Sequence, residues 1–393
     1  MKKFKNYIAK IEDEIIDIRR DFHKHPELGF EETRTANVIA QKLNNWGYEV
    51  KEGIAKTGVV GILKGEKQGP TIALRSDIDA LPITEKNDLS YSSVYKGKMH
   101  ACGHDGHMAI LLGTAKVLAK YQNEISGNIK LIFQPAEEGP GGAKPMIDEG
   151  VLDDVDLIFG LHIWPDLDSG KVGVKKGPLF ASIDEIDIEV VGESSHGASP
   201  HQGTDAVFVA AELISSLQSV VSRKLDPVEP SVITIGKING GYVRNVIADN
   251  VRLEGTIRCV SPEIRKKLEL KIKEIIKGVT MSHGASYNLE YRNLYPPLIN
   301  NDYYTDIVKN IAQNIVGKEN VDFIEKPTMG GEDFAYFLKK VPGTFFLIGG
   351  RNEEKGITAP NHNPNFNFDE DILKTGVEIL VKSSFEIMEK GVN

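Results

Sequence analysis

Apolar residues recur along this chain with two different periods, and the switches between them outline its elements. Ile8, Ile11, Ile15 and Ile18 fall three or four positions apart among charged residues, the spacing of one face of a helix, and predict an amphipathic helix over about 4–20. Residues 32–43 predict a second helix ending near Gly47, and the stretch from Asp21 to Phe30 between the two reads as irregular. Short β-rich runs follow at 59–63, 71–78, 128–134 and 156–163, with a helical stretch at 105–121 among them. Strands separated by helices predict an α/β sheet with helices on its faces.

The pattern changes near Ser182. Ile183, Ile186, Ile188 and Val190 sit among acids, then a loop rich in Gly, Ser and Pro leads to a helix over about 204–222. Strand signals at 231–237 and 245–258, a helix opening at Ser261-Pro262-Glu263 and a last strand at 287–291 complete a β-α-β-β-α-β order. Ser261 is suited to cap that helix and Pro262 to its first turn. After Pro296-Pro297 the α/β character returns, with a helix near 302–315, a β run at 344–349 and a closing helix from Asp369. The expected organisation is a discontinuous first domain, 1–180 and 295–393, with a smaller α+β domain inserted at 181–294. No internal repeat is visible.

Composition narrows the partners. The 393 residues carry a formal net charge of -9 with acids and bases interspersed, which disfavours nucleic acid and anionic membrane surfaces. The N-terminal segment reads as a helix rather than a leader, and no later stretch reaches the roughly 18 apolar residues of a membrane span. Only two cysteines, Cys102 and Cys259, are present, so no disulfide framework is expected. These features point to the cytoplasm.

Four segments concentrate chemistry. Met99-His100-Ala101-Cys102-Gly103-His104-Asp105-Gly106-His107 offers thiolate and imidazole, good donors for zinc and related metals. Gln134-Pro135-Ala136-Glu137-Glu138-Gly139 follows an apolar strand, and strand C-terminal ends are where open α/β sheets build their sites. One carboxylate there can bind metal while the other takes a proton. Phe159-Gly160-Leu161-His162 and Pro360-Asn361-His362-Asn363-Pro364 also follow apolar strands. Singly, each could be a solvated turn or a structural histidine; four strand ends in one domain can converge on one point.

Together with Asp21-Phe22-His23-Lys24-His25-Pro26-Glu27 and Ser76-Asp77-Ile78-Asp79-Ala80-Leu81-Pro82, these segments, in this order, resemble the peptidase family M20 amidohydrolases. The subgroup is that of hippurate hydrolase, N-acetyldiaminopimelate deacetylase and the auxin-conjugate hydrolases, and the similarity runs from about 15 to about 385. The resemblance implies a metallo-aminopeptidase-like catalytic domain carrying an inserted ferredoxin-like lid and dimerisation domain. It implies Cys102, His104, Glu138, His162 and His362 as ligands of two divalent metal ions, zinc or manganese before cobalt or nickel. Cys102 would bridge them, one ion being held also by His104 and His162 and the other by Glu138 and His362. Glu137 matches the general base and Asp79 an acid supporting the metal site. His196, in Gly192-Glu193-Ser194-Ser195-His196-Gly197-Ala198, matches a lid residue that stabilises the oxyanion. Gly330, in Met329-Gly330-Gly331-Glu332-Asp333-Phe334, and Asn245 are implied substrate contacts. The activity implied is hydrolysis of the amide of a small N-acyl amino acid by metal-activated water, in a homodimer.

Three other readings remain open on the sequence. Cys102 could be a nucleophile activated by His104 or His162, though that leaves Glu137, Glu138 and His362 without a task. The chain could be a metal-binding scaffold without chemistry, or an aminopeptidase or dipeptidase of the same family. Arg244, Arg258 or Arg351 could hold a substrate carboxylate, or simply form surface ion pairs.

Overall fold

A computed structural model describes residues 2–392, which divide into two compact units. The first comprises the chain up to Gly177, Ile299–Glu325 and the chain from Tyr336 onward; the second comprises Pro178–Leu298 and Lys326–Ala335.

The first unit is built on an eight-stranded mixed sheet. Its strands are β1 (Glu49–Ile54), β2 (Gly58–Lys64), β3 (Lys67–Asp77), β4 (Ser126–Gln134), β5 (Leu157–Asp168), β6 (Val172–Val174), β15 (Val321–Phe323) and β16 (Gly343–Arg351). They lie in the order β1-β2-β4-β3-β5-β16-β6-β15. The four central strands β4, β3, β5 and β16 run parallel. Parallel strands are covered on both faces and read as continuous apolar runs, which is why β4 and β16 are buried almost throughout.

Helices α1 (Lys2–Ile8), α2 (Glu12–Lys24), α3 (Thr33–Asn45), α4 (His104–Lys120), α5 (Ala143–Asp148), α8 (Asp302–Val316) and α10 (Leu373–Lys390) complete the unit. The single helix expected over 4–20 is two, separated by a turn at Ala9 and Lys10, while Phe4, Ile8, Ile11, Ile15, Ile18 and Phe22 still share one buried core. The second of them runs on to Lys24 and stops where Pro26 disfavours helical geometry at His25.

In the second unit, β8 (Asp184–Val191), β10 (Ser231–Gly240), β12 (Asn250–Cys259) and β13 (Ser286–Asn293) form an antiparallel sheet ordered β10-β12-β8-β13. Burial alternates strictly along β8, with Ile186, Ile188 and Val190 inward. They meet α6 (Ala206–Ser219) and α7 (Pro262–Ser282) in a separate core. A separate two-stranded antiparallel ribbon pairs β9 (Ser195–His196) with β11 (Val246–Ile247). Short elements β7 (Gly177–Phe180), β14 (Leu298–Asn300) and α9 (Ala335–Leu338) fall where the chain passes from one unit to the other. Among the described residues one helical run, Ala206–Lys224, is long and apolar enough by composition to cross a membrane; Val209, Ala210, Leu213 and Leu217 on it belong to the second core.

Chain order alone assigns 295–393 to the first domain, and for Lys326–Ala335 that assignment does not hold. The backbone explains it: Thr328 N donates to Leu179 O at 3.0 Å, and Ala181 N donates to both Thr328 O and Gly330 O, at 3.1 and 2.9 Å.

Candidate metal centre

The centre of the first sheet ends in carboxylates. β3 terminates at Asp77 and is followed by Asp79, β4 leads into Glu137 and Glu138, and β5 carries His162. These are C-terminal ends of adjacent parallel strands, where an open sheet leaves a crevice. Helix α4 delivers His104 as its first residue. Gly103, its N-cap, has φ +90°, a left-handed conformation that glycine adopts without strain.

Side-chain donors converge here. Ligand atoms of Cys102, His104 and His162 lie within 4.8 Å of one another, as do those of Cys102, Glu138 and His362, of His104, Glu137 and Glu138, and of Asp77, His104 and His107. All eight residues belong to the first unit. His362 Nε2 is 3.1 Å from Glu138 Oε1, and Cys102 Sγ is 3.4 Å from His162 Nε2. The segment bearing His362 is tied in by its own N–H, donated to Ala101 O at 2.8 Å.

Backbone carbonyls orient the histidines. His104 Nδ1 donates to Asp79 O at 2.9 Å and His162 Nδ1 donates to Ile163 O at 2.7 Å, so both rings turn Nε2 toward the cluster. This is the usual way a ligating imidazole has its tautomer set. His107 differs. Its Nε2 accepts from Ile163 N at 2.8 Å and its Nδ1 donates to Asp77 Oδ1 at 2.7 Å, so it spends both nitrogens on holding β5 and Asp77 in place.

The electrostatics are those of a site built for cations. His104 Nε2 is buried without a hydrogen-bond partner, yet Asp77 Oδ2 lies 3.6 Å away and Glu138 Oε1 3.9 Å away. Burial alone would depress this imidazole, but Asp77, Asp79 and Glu138 outweigh it and push its pKa up to about 10. Burial opposes ionisation of Asp77, and the surrounding His104, His107 and Arg75 nonetheless hold it well below the usual carboxylate range. Burial, with Glu138 and Glu137 nearby, pushes the Cys102 thiol up. A thiol that resists ionisation until a cation arrives, and a buried nitrogen aimed between two carboxylates, both fit a divalent metal. A mixed set of thiolate, imidazole and carboxylate suits borderline transition metals such as zinc.

Asp79 sits behind this set: its Oδ2 accepts from Glu138 N at 3.0 Å while its backbone oxygen steers His104. The residues His196, Asn245 and Gly330 are carried by the second unit. His196 pairs with Val246 in the two-stranded ribbon, and its Nδ1 accepts from Ala198 N at 3.0 Å, leaving Nε2 as the donor. Asn245 O accepts from Gly197 N at 2.8 Å, and Gly330 N donates to Thr328 Oγ1 at 3.1 Å. Sequence reasoning assigned no task to Asp77 or His107. The signal was present in His104 and His107, three apart at the start of a helix and therefore on one face.

Known proteins resemble this chain over most of its length. Residues 73–384 match the model of peptidase family M20/M25/M40. Thermostable carboxypeptidase 1 of Saccharolobus solfataricus is 43% identical over 380 residues, covering 96% of each chain. N-acetyldiaminopimelate deacetylase of Priestia megaterium is 42% identical over 346 residues, 87% of this chain and 91% of that one. Among solved structures, the YXEP protein of Bacillus subtilis, described as a dinuclear metal binding peptidase from the M20 family, superposes with a TM-score of 0.86 at 33% identity, covering 98% of this chain and 99% of that one.

Proposed function

The chain belongs to peptidase family M20/M25/M40 and is a metal-dependent amidohydrolase; on that premise we propose that it cleaves the amide of a small N-acyl amino acid, with Glu137 as general base. The observation carrying this reading is the convergence of Cys102, His104, His162, Glu138 and His362 in overlapping sets, with the Glu137 carboxylate beside His104 and Glu138. Cys102, His104 and His162 would hold one divalent ion, and Cys102, Glu138 and His362 the other; thiolate and imidazole favour zinc, and the carboxylate admits manganese. Two such ions supply Lewis acidity at the scissile carbonyl and make a water easier to deprotonate.

The chain's own residues do the rest. Glu137 accepts the proton from the attacking water and returns it to the departing amide nitrogen. Asp79 holds Glu138 and His104 in register through its side chain and backbone oxygen. His196 is proposed to donate Nε2–H to the developing oxyanion, a contribution typically worth 10²–10³-fold in kcat. Gly330 and Asn245 are proposed substrate contacts.

The chain is also proposed to act as a cytoplasmic homodimer. Both cysteines are free and buried, as expected of a reducing compartment. The edge strand β10 and helix α6 leave Val232, Ile238, Val207 and Phe208 exposed on the second unit, apolar surface suited to a second copy. Light scattering that gives a monomer mass at micromolar concentration would remove the dimer.

The carboxypeptidase relative favours a second reading, in which the acyl part is a peptide. Both substrates release an amino acid with a free carboxylate, so the chemistry at the amide is the same. Metal analysis of the purified protein, with a panel of N-acetyl amino acids, N-benzoyl amino acids and N-blocked dipeptides, separates them. Turnover of the N-blocked dipeptides alone would replace the first reading by the second.

A further inference from the structure

Two buried carboxylates grip the turn that carries Glu137, and only one of them is explained by the metal centre. Asp79 takes the N–H of Glu138. On the other side, Glu32 Oε1 accepts from Ala136 N at 2.9 Å, and Glu32 Oε2 accepts from Thr57 Oγ1 at 2.5 Å. Glu32 is fully buried, and burial raises its pKa against the pull of its Thr57 hydrogen bond.

The turn needs this grip. Ala136 has φ +53°, a left-handed conformation that crowds the Cβ of any residue but glycine against the backbone. Such strain persists only where the surroundings over-determine it. The surroundings here are the segment from Glu27 to Glu32. A Cβ on Gly29 would lie 2.8 Å from Gly139 O and 2.9 Å from Ala136 Cβ, so the backbone of this segment packs directly on the turn. It also reaches Asp79's neighbour, with Ala80 N donating to Glu27 O at 2.8 Å. One stretch therefore buttresses both sides of the turn.

We propose that Glu32 is a positioning residue for the hydrolytic reaction: by holding Ala136 N–H and Thr57 it keeps the strained turn in the one conformation that presents Glu137 to the reacting water. The inference rests on Glu137 being the general base. It assigns Glu32 no contact with metal or substrate.

The test uses the metal-loaded full chain and steady-state kinetics on whichever panel substrate the wild type turns over. Glu32→Ala lowers kcat on the order of 10- to 100-fold, the scale of an ångström's misplacement at a reacting centre, with KM within about twofold of wild type and metal content unchanged. Glu32→Gln, which keeps an acceptor for Ala136 N–H, recovers kcat to within a few-fold. Thr57→Val lowers kcat by a smaller factor. A Glu32→Ala enzyme with wild-type kcat, or one whose loss lies wholly in KM or in metal content, overturns the assignment, as does Glu32→Gln performing no better than Glu32→Ala. If Glu32→Ala is not recovered folded, Thr57→Val decides, and unchanged kcat there overturns it. A wild type inactive on the whole panel would instead remove the proposed substrate class, and a fully active Glu137→Gln the reading of Glu137 itself.

Discussion

The two units differ in their buried charge: most of it lies in the first, although the second also buries carboxylates, among them Asp184, held by Arg265 Nε at 3.0 Å. In the first, ionised groups are driven inside: Arg19, fully buried, donates Nε to Asp105 Oδ2 at 2.8 Å and Nη2 to Asn367 Oδ1 at 2.8 Å. His23 adds its Nδ1 to the same Asp105 oxygen at 2.8 Å and its Nε2 to Glu85 at 3.1 Å. This cluster locks α2 to the first turn of α4, one residue after His104. In the second unit, charges line the sheet face turned away from its helices: Arg292 meets Asp187, Glu185 and Glu290, and Arg252 meets Asp187 and Glu254, all at least partly in water. Buried charge is expensive unless every member is paired, so a fold keeps it only where position matters. Exposed pairs cost little and contribute little.

Experiments can break that contrast at several scales. The largest effect is expected at the metal centre itself. Chelation should abolish hydrolysis and re-addition of zinc or manganese restore it, while Glu137→Gln should keep its metal and lose on the order of 10²–10⁴-fold in kcat. Next comes Asp105→Ala, which strands Arg19 and His23 in the interior and should cost about 3–5 kcal/mol of stability in urea unfolding. A loss below about 1 kcal/mol would erase the distinction between the two units.

The same carboxylate sets a pH dependence. Burial opposes its ionisation, but Arg19 and His23 hold Asp105 well below the ordinary carboxylate range. Its contribution is therefore fully present above the unfolded value of about 4 and is lost as pH falls below that toward the folded value. Thermal midpoints of the wild type should decline below about pH 4, and Asp105→Asn should flatten that decline. The smallest effect belongs to the second unit, where Arg292→Ala should change stability by about 1 kcal/mol or less, and by less again in high salt.

Much of the architecture was legible because buried parallel strands leave long apolar runs: β3, β4, β5 and β16 each read as strands from composition alone. β1 did not, since its residues are mostly exposed and only Val50 of this edge strand packs against the core. The break between α1 and α2 was also invisible, because Ile8 and Ile11 stay in register with one buried face across it. At the site, histidine, cysteine and paired glutamates stand out by residue type. Glu32 does not: a single acid ahead of a helix looks like any solvated glutamate, and only its contacts with Ala136 and Thr57, far off in sequence, set it apart. The tie of Lys326–Ala335 to the second unit likewise rests on backbone pairing, which side-chain patterns do not record.

The sheet order has a consequence for how the protein comes into being. Cys102, His104 and His162 sit on neighbouring elements from the first half of the chain, whereas His362 arrives only after β16 has added itself beside β5. A growing polypeptide could thus assemble one set of three donors well before translation ends, yet the second set stays incomplete until nearly the last helix emerges. On the two donor sets proposed above, synthesis itself would impose a sequence on loading, with hydrolytic competence withheld until β16 has found its place.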